Sequence, residues 1–341
     1  MIPYLIVFPI IWFVSLDKRF RIPALILLVL FIGLRWNVGT DFMSYLDIFN
    51  LSGTPLYSSL PVEWGYLWLN RIFASYEFSF SAVTMVQAIW VMTFIYLGLK
   101  DYSFYPFSIL IFLLDINCGY TSTVNIMRQA MAMAILFFAI KYIVEHSFYK
   151  YLICVLIACC FHISAIIALP IYFLNRFTFN QWILTLIYLI VFAGSIFRVW
   201  DTMINNIMSM TLYGGYLYSQ YNTAVESNSG IIMIIWRAFS LLIILNYNKI
   251  AAYNPSSKVY LNIYCVFSIL RDLFSTNLVI VRLILYFQLS ELIVIPILFL
   301  VLLKNRNSRI ICETAFILFL CVLFVNHAIS HADSKLIYHL A

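Results

Sequence analysis

The chain is predicted to be an all-α, polytopic integral membrane protein with about eleven to twelve transmembrane segments. Three observations carry this. Of its 341 residues, 64% are hydrophobic and only 10% are charged, whereas charged residues make up about 25% of a soluble globular domain. Apolar runs of membrane-spanning character recur along the whole length. The basic residues fall in alternate gaps between those runs, as the positive-inside bias demands. One polytopic domain over 1–341 follows, with no water-soluble domain of its own.

Taken in order, the apolar segments lie near 2–16, 22–36, 79–99, 104–119, 124–144, 149–161, 163–175, 181–198, 230–247, 259–275, 281–302 and 309–326. The opening run lacks a basic start and a small-residue cleavage site, so it reads as a retained span and not a signal peptide. The stretch 63–75 alternates Trp, Tyr and Leu with Glu63, Asn70 and Arg71, the pattern of an amphipathic helix lying at the interface. Residues 37–78 thus form an outer loop with an interfacial helix, and 199–229 form a second outer loop. The second loop sets Tyr213, Tyr216, Tyr218 and Tyr221 around Gly214 and Gly215. Tyrosines so placed can stack on sugar faces or act as interfacial anchors, and both readings stand.

Orientation follows from the charges. Lys18, Arg19 and Arg21 put the first loop in the cytoplasm and the N-terminus outside; Lys100, Lys141, Lys150, Arg176, Lys249, Lys258, Lys304, Arg306 and Arg309 then fall inside. The C-terminus is expected outside. This holds only if 149–176 crosses twice, with His162 and Ser164 at a break between two short arms. A single long span would place His162 in mid-membrane and put Lys249 and Lys258 outside, so the broken helix is preferred. The seven cysteines sit in or beside apolar runs without Cys-x-x-Cys spacing, as small buried hydrophobes do. The net charge of +6 is modest, and no nucleic-acid partner is expected.

Three arginines break the inside bias. Arg35 ends the second span at its outer edge, Arg128 lies one turn into the fifth, and Arg282 lies just inside the outer start of the eleventh. A guanidinium matches phosphate oxygens bidentately, and Arg128 and Arg282 also lie near helix N-termini, where the backbone dipole favours anions. Equally, all three could be snorkelling anchors. Around Arg35, the stretch 33–45 places Asp41 six residues on as an ion-pair partner, with Gly33 and Gly39 for a tight turn and Trp36 and Tyr45 at headgroup level.

These residues carry a resemblance. Arg35 followed by Val38-Gly39-Thr40-Asp41 and Tyr45 resembles the opening signature of the EpsG family, Wzy-like polymerases of bacterial exopolysaccharide and O-antigen. Glu63-Trp64-Gly65-Tyr66 resembles its Glu-x-Gly-Tyr; Arg128-Gln129 before an alanine-rich run resembles its Arg-Gln. His162-Ile163-Ser164-Ala165 with Pro170 resembles its His-x-Ser-Ala…Pro, although the family often has Pro where Ile163 stands; Arg282 with Tyr286 resembles its late Arg motif. The tail 327–341 carries no such motif.

The resemblance implies a GT-C-like membrane glycosyltransferase in the bacterial inner membrane, its active site facing the periplasm. It implies donor and acceptor glycans linked to undecaprenyl pyrophosphate, surrounded by membrane lipids, and a chain-length regulator and flippase of the same pathway as partners. The leaving group is already activated and anionic, so Arg35, Arg128 and Arg282, with Gln129, Tyr45 and Tyr286, would bind substrate with no metal or other cofactor. An acceptor hydroxyl needs a general base, for which His162 and Glu63 rank ahead of Asp41. Each has a structural alternative: Asp41 as the partner of Arg35, Glu63 as the cap of the interfacial helix, His162 as a tie across the broken helix. Two other functions compete. A flippase or transporter would want paired intramembrane charges, for which only Arg237 and Arg271–Asp272 remain. An O-antigen ligase would use the same arginine and histidine inventory.

Overall fold

A computed structural model describes residues 2–200, 203, 206, 231–275, 277–330 and 338–340. Its helices are α1 (Ile2–Ser15), α2 (Arg21–Gly33), α3 (Phe42–Ser52), α4 (Trp64–Ser75), α5 (Phe80–Leu99), α6 (Tyr105–Leu114), α7 (Tyr120–Asn125), α8 (Met127–Val144), α9 (Phe148–Phe161), α10 (Gln181–Ile196), α11 (Ile231–Leu245), α12 (Tyr247–Ala251), α13 (Pro255–Leu273), α14 (Leu278–Gln288), α15 (Glu291–Leu302) and α16 (Arg306–Ser330). A 3-10 segment spans Ile163–Arg176, and two short strands, β1 (Arg35–Trp36) and β2 (His339–Leu340), pair antiparallel. The chain is all-α apart from that pair. Among the described residues, α5, α8 and α16 are long and apolar enough to cross a membrane. A fourth span arises if α14 and α15, bent by 53°, count as one.

Every apolar segment read from the sequence coincides with helix, and the differences have local causes. The second segment stops at Gly33, because Arg35 and Trp36 leave it to pair with β2. The tenth begins earlier, at Pro255, where Asn254 and Ser257 form a reciprocal capping box with proline at the first helical position. Within the outer loop, Phe42, Tyr45, Phe49 and Ser52 share one buried face, so an unexpected helix, α3, packs there on α4. As for α4, Tyr66 and Asn70 turn inward while Trp64, Trp68 and Ile72 are exposed one turn apart. An apolar outer face is what a helix in the membrane interface presents. The four tyrosines of the second expected outer loop lie outside the described residues.

The helices cluster into two compact units, Met1–Leu169 with Leu303–Ala341, and Pro170–Leu302. In the first, α2 packs on α1 and α5, α8 on α5 and α9, and α6 on α1 and α16. Arg21, Lys100, Lys141 and Lys150 gather at one set of helix ends. The Arg21 Nη1 donates to the Lys100 carbonyl at 2.9 Å, tying the start of α2 to the end of α5. Lys141 and Lys150 both lie over the Tyr142 ring, at 4.8 and 5.7 Å, where α8 ends and α9 begins. Arg35, Arg128 and His162 occupy the opposite ends of the same helices.

The segment 149–176 is broken where the sequence suggested. α9 ends at Phe161, His162 is extended, and the chain resumes as a 3-10 helix. The Tyr151 hydroxyl donates to the Ala168 carbonyl at 2.6 Å. Seventeen residues of one continuous α-helix would hold them about 25 Å apart, so the two arms must fold back on each other. The fourteen 3-10 residues extend about 28 Å, whereas the fourteen of α9 extend about 21 Å. In the second unit α13 packs against α10, α12, α14 and α15, and Lys258 at its start donates to the Thr178 hydroxyl at 3.1 Å.

Candidate functional site

At the non-basic ends of the first unit's helices, residues far apart in sequence meet. The Arg128 Nη1 donates to Glu63 Oε2 in a close ion pair. The other carboxylate oxygen accepts the Ile163 backbone N–H at 3.0 Å and lies 3.8 Å from His162 Nδ1. That ring nitrogen is in turn 2.7 Å from the Ser164 hydroxyl. The Tyr45 hydroxyl is a further partner of Arg128. The side chains of Arg128, Glu63 and His162 are 23, 15 and 27% exposed, so a ligand can reach all three. Burial raises the phenols of Tyr45 and Tyr66 above their ordinary range, leaving them as neutral hydrogen-bonding groups.

Local sequence explains how each group arrives. α7 ends at Ile126, whose φ and ψ of −111° and 60° break the helix and start α8 afresh, so Arg128 sits in a first turn with unsatisfied amides and a positive dipole end. Gly39, at φ +106°, lets the preceding loop touch that kink: a Cβ there would lie 2.5 Å from the Val124 carbonyl, and the Thr40 N–H donates to the Asn125 side chain at 2.9 Å. Gly33 has no such conformation, but a Cβ on it would lie 2.6 Å from Met85 Sδ and 2.9 Å from Met85 Cα, so it lets the end of α2 pack closely on α5. Glu63 occupies the N-cap position of α4 but makes no side-chain cap; its carboxylate is spent on Arg128 and the start of the 3-10 helix instead.

Gly65 makes that reach achievable. A Cβ on it would sit 2.6 Å from the Cys160 carbonyl, so only glycine lets α4 lie this close to the end of α9. Gly65→Ala is therefore expected to push α4 outward, separate Glu63 from the Ile163 amide, and destabilise the protein by about 1–3 kcal/mol, as overpacking does. A thermal melt of the purified variant checks this; an unchanged melting temperature would show that the contact is not tight.

Arg35 is placed differently from the expectation of an outward-facing arginine. It is 0% exposed; Nη1 donates to the Ile32 carbonyl at 2.6 Å and Nη2 to Gln87 Oε1 at 3.4 Å. Gln87 passes the link on to the Thr123 carbonyl at 2.8 Å. The expected pairing with Asp41 is absent: the Asp41 carboxylate stands at the start of α3 and accepts from the Thr40 hydroxyl at 3.3 Å. No carboxylate bonds Arg35 among the described residues. Its Nε and Asn70 Oδ1 are buried there without hydrogen-bond partners among the described residues, and the Tyr66 hydroxyl lies against the Asn70 side chain. Arg35 and Arg128 both act electrostatically on Tyr66, whose ring packs edge-on to Tyr45 at 5.7 Å.

Gln129 is buried in α8 beside Arg128, whereas Arg282, exposed, and Tyr286, buried, lie on α14 of the second unit. Glu63, Arg128, His162 and Tyr45 are thus brought together, with Arg35 behind them. Gln87 was not singled out from the sequence, and Asn70 and Ser164 were named there for the amphipathic pattern and the helix break, not as site residues. The first two had a signal, as lone amides within otherwise apolar or aromatic helical stretches, and Ser164 stood in the His-x-Ser-Ala run. The profile of the EpsG family matches residues 18–340, nearly the whole chain. No curated protein and no solved structure matches it.

Proposed function

The chain belongs to the EpsG family, and we propose that it is a Wzy-like membrane glycosyltransferase of GT-C type. It polymerises undecaprenyl-pyrophosphate-linked repeat units into O-antigen or exopolysaccharide at the outer face of the bacterial inner membrane. The observation that supports this best is Arg128 and His162 sharing the Glu63 carboxylate at one end of the helices, within reach of a ligand. In the reaction, the bond between the donor sugar's anomeric carbon and the pyrophosphate oxygen breaks. A hydroxyl of the acceptor glycan forms the new glycosidic bond and gives up its proton. Undecaprenyl pyrophosphate departs with the bonding electrons.

Arg128 is assigned to the pyrophosphate, where a preorganised guanidinium meets the developing negative charge. His162 is assigned as the general base in the tautomer whose Nδ1–H donates to the Ser164 hydroxyl, a tautomer the Glu63 carboxylate 3.8 Å away favours and that leaves Nε2 to accept the proton. Glu63 is the less suitable base, since its two oxygens are already engaged by Arg128 and the Ile163 amide. It orients His162 and Arg128 instead. Among the described residues the Asp41 carboxylate accepts from the Thr40 hydroxyl and acts electrostatically on Tyr45. Arg35 positions the site from behind through Tyr66, and Arg282, with Tyr286, is the second unit's candidate contact to the glycan carrier.

Disruption of the gene followed by electrophoresis of the surface polysaccharide tests the reading. Loss of a polymerase leaves single repeat units attached to the carrier or core. Loss of a ligase leaves none attached, and that outcome would replace the polymerase assignment.

A further inference from the structure

Within the second unit, α10 and α13 lie side by side and enclose an apolar groove of about 260 Å³. Ile183, Leu184 and Ile187 line it from α10, and Cys265, Val266 and Ile269 from α13. The lining stops one turn short of a charged cluster in which α11 (Ile231–Leu245) joins the same two helices. There the Asp272 carboxylate accepts from the Tyr188 hydroxyl at 2.8 Å and from Arg271 Nε at 3.2 Å, and it pairs with Arg237 Nε at 3.4 Å. Arg237 Nη2 donates to Ser195 in a close contact, while Arg271 Nη2 donates to Ser240 at 3.0 Å. Tyr264 shares a hydrogen bond with Ser240 at 2.8 Å.

Two guanidinium groups therefore share one directly bonded carboxylate. Glu291, buried on α15, acts on Arg271 from farther away. Arg237 is 5% exposed, and its Nε, though within ion-pair distance of Asp272, makes no hydrogen bond among the described residues. Burying charge in a lipid-facing unit is expensive, and such a cluster is ordinarily kept for a ligand or a transported species. Stability alone gives no reason for it, since apolar replacements of buried ion pairs are often as stable. An apolar groove with paired arginines one turn beyond its lining has the chemistry of an isoprenyl pyrophosphate: a hydrocarbon chain behind, a doubly anionic head in front.

We infer that the second unit binds the lipid pyrophosphate of a second substrate, with the isoprenoid chain along the α10–α13 groove and the phosphates on Arg271 and Arg237. The assignment rests on the polymerase reading, in which two lipid-linked glycans must be held at once and the Arg128 site takes only one. The test uses the full-length protein in phosphatidylcholine nanodiscs with farnesyl pyrophosphate as probe, counted by native mass spectrometry. Wild type is expected to bind two molecules, the Arg128→Ala variant one, Arg271→Gln one, and the double variant none. Ile183→Trp fills the groove at an exposed position and should weaken the second site about tenfold or more without a change of charge.

If both Arg271→Gln and Ile183→Trp still bind two molecules, or wild type binds one that Arg128→Ala abolishes, the second site is wrong while the polymerase reading stands. Wild-type protein that binds none removes both. Displacement of the second probe by phosphatidylglycerol, but not by inorganic pyrophosphate, would make the cluster a phospholipid site and overturn the assignment.

Discussion

Replacing Arg128 by alanine is expected to abolish polymer while the protein still reaches the membrane. The guanidinium is one preorganised donor to the leaving group, and loss of such a donor costs about 2–4 kcal/mol of transition-state stabilisation, or roughly 30- to 1,000-fold in rate. Folding should suffer less, because the Glu63 carboxylate left behind keeps the Ile163 amide and is partly exposed. Arg128→Lys keeps the charge but loses the planar fork, so it should shorten the polymer without removing it. Arg198, exposed at the end of α10, is the comparison: Arg198→Ala should leave chain length unchanged. Polysaccharide length on a gel, beside the amount of protein in the membrane, reads all three. A well-expressed Arg128→Ala variant that still makes full-length polymer would remove the pyrophosphate role.

His162→Gln is expected to lower turnover by about 10²- to 10⁴-fold, the usual contribution of a positioned general base, with donor binding retained. Glu63→Gln separates the two candidate bases. If Glu63 only orients His162 and Arg128, its amide keeps part of the geometry and the loss is smaller than for His162→Gln. A larger loss for Glu63→Gln, with His162→Gln nearly intact, would transfer the proton-accepting role to the carboxylate. Rates with lipid-linked repeat units and the purified protein decide between them.

Much of the architecture was legible locally. Each apolar helix is specified by its own neighbouring residues: apolar runs, the basic residues at their ends, and start signals such as Asn254-Pro255. The break at His162 was likewise announced by two polar residues within an apolar run. The amphipathic α4 was readable from its Trp and Tyr spacing, and the motifs around Glu63, Arg128 and His162 marked the residues that meet.

What meets what was decided only by tertiary packing. Glu63 lies 65 residues from Arg128 and 100 from Ile163, and no local periodicity encodes contacts of that range. The carboxylate could equally have capped its own helix; the close approach of α4 to α9 over Gly65 gave it other partners. Arg35 had a nearby acid in sequence, Asp41, yet the fold turned its guanidinium toward α5 and left Asp41 at the head of α3. A side chain at a helix lip goes wherever its neighbours leave polar atoms, and those neighbours arrive from elsewhere in the chain. For the same reason Arg237 and the Arg271–Asp272 pair, isolated charges in the sequence, became one buried cluster only when α10, α11 and α13 packed together.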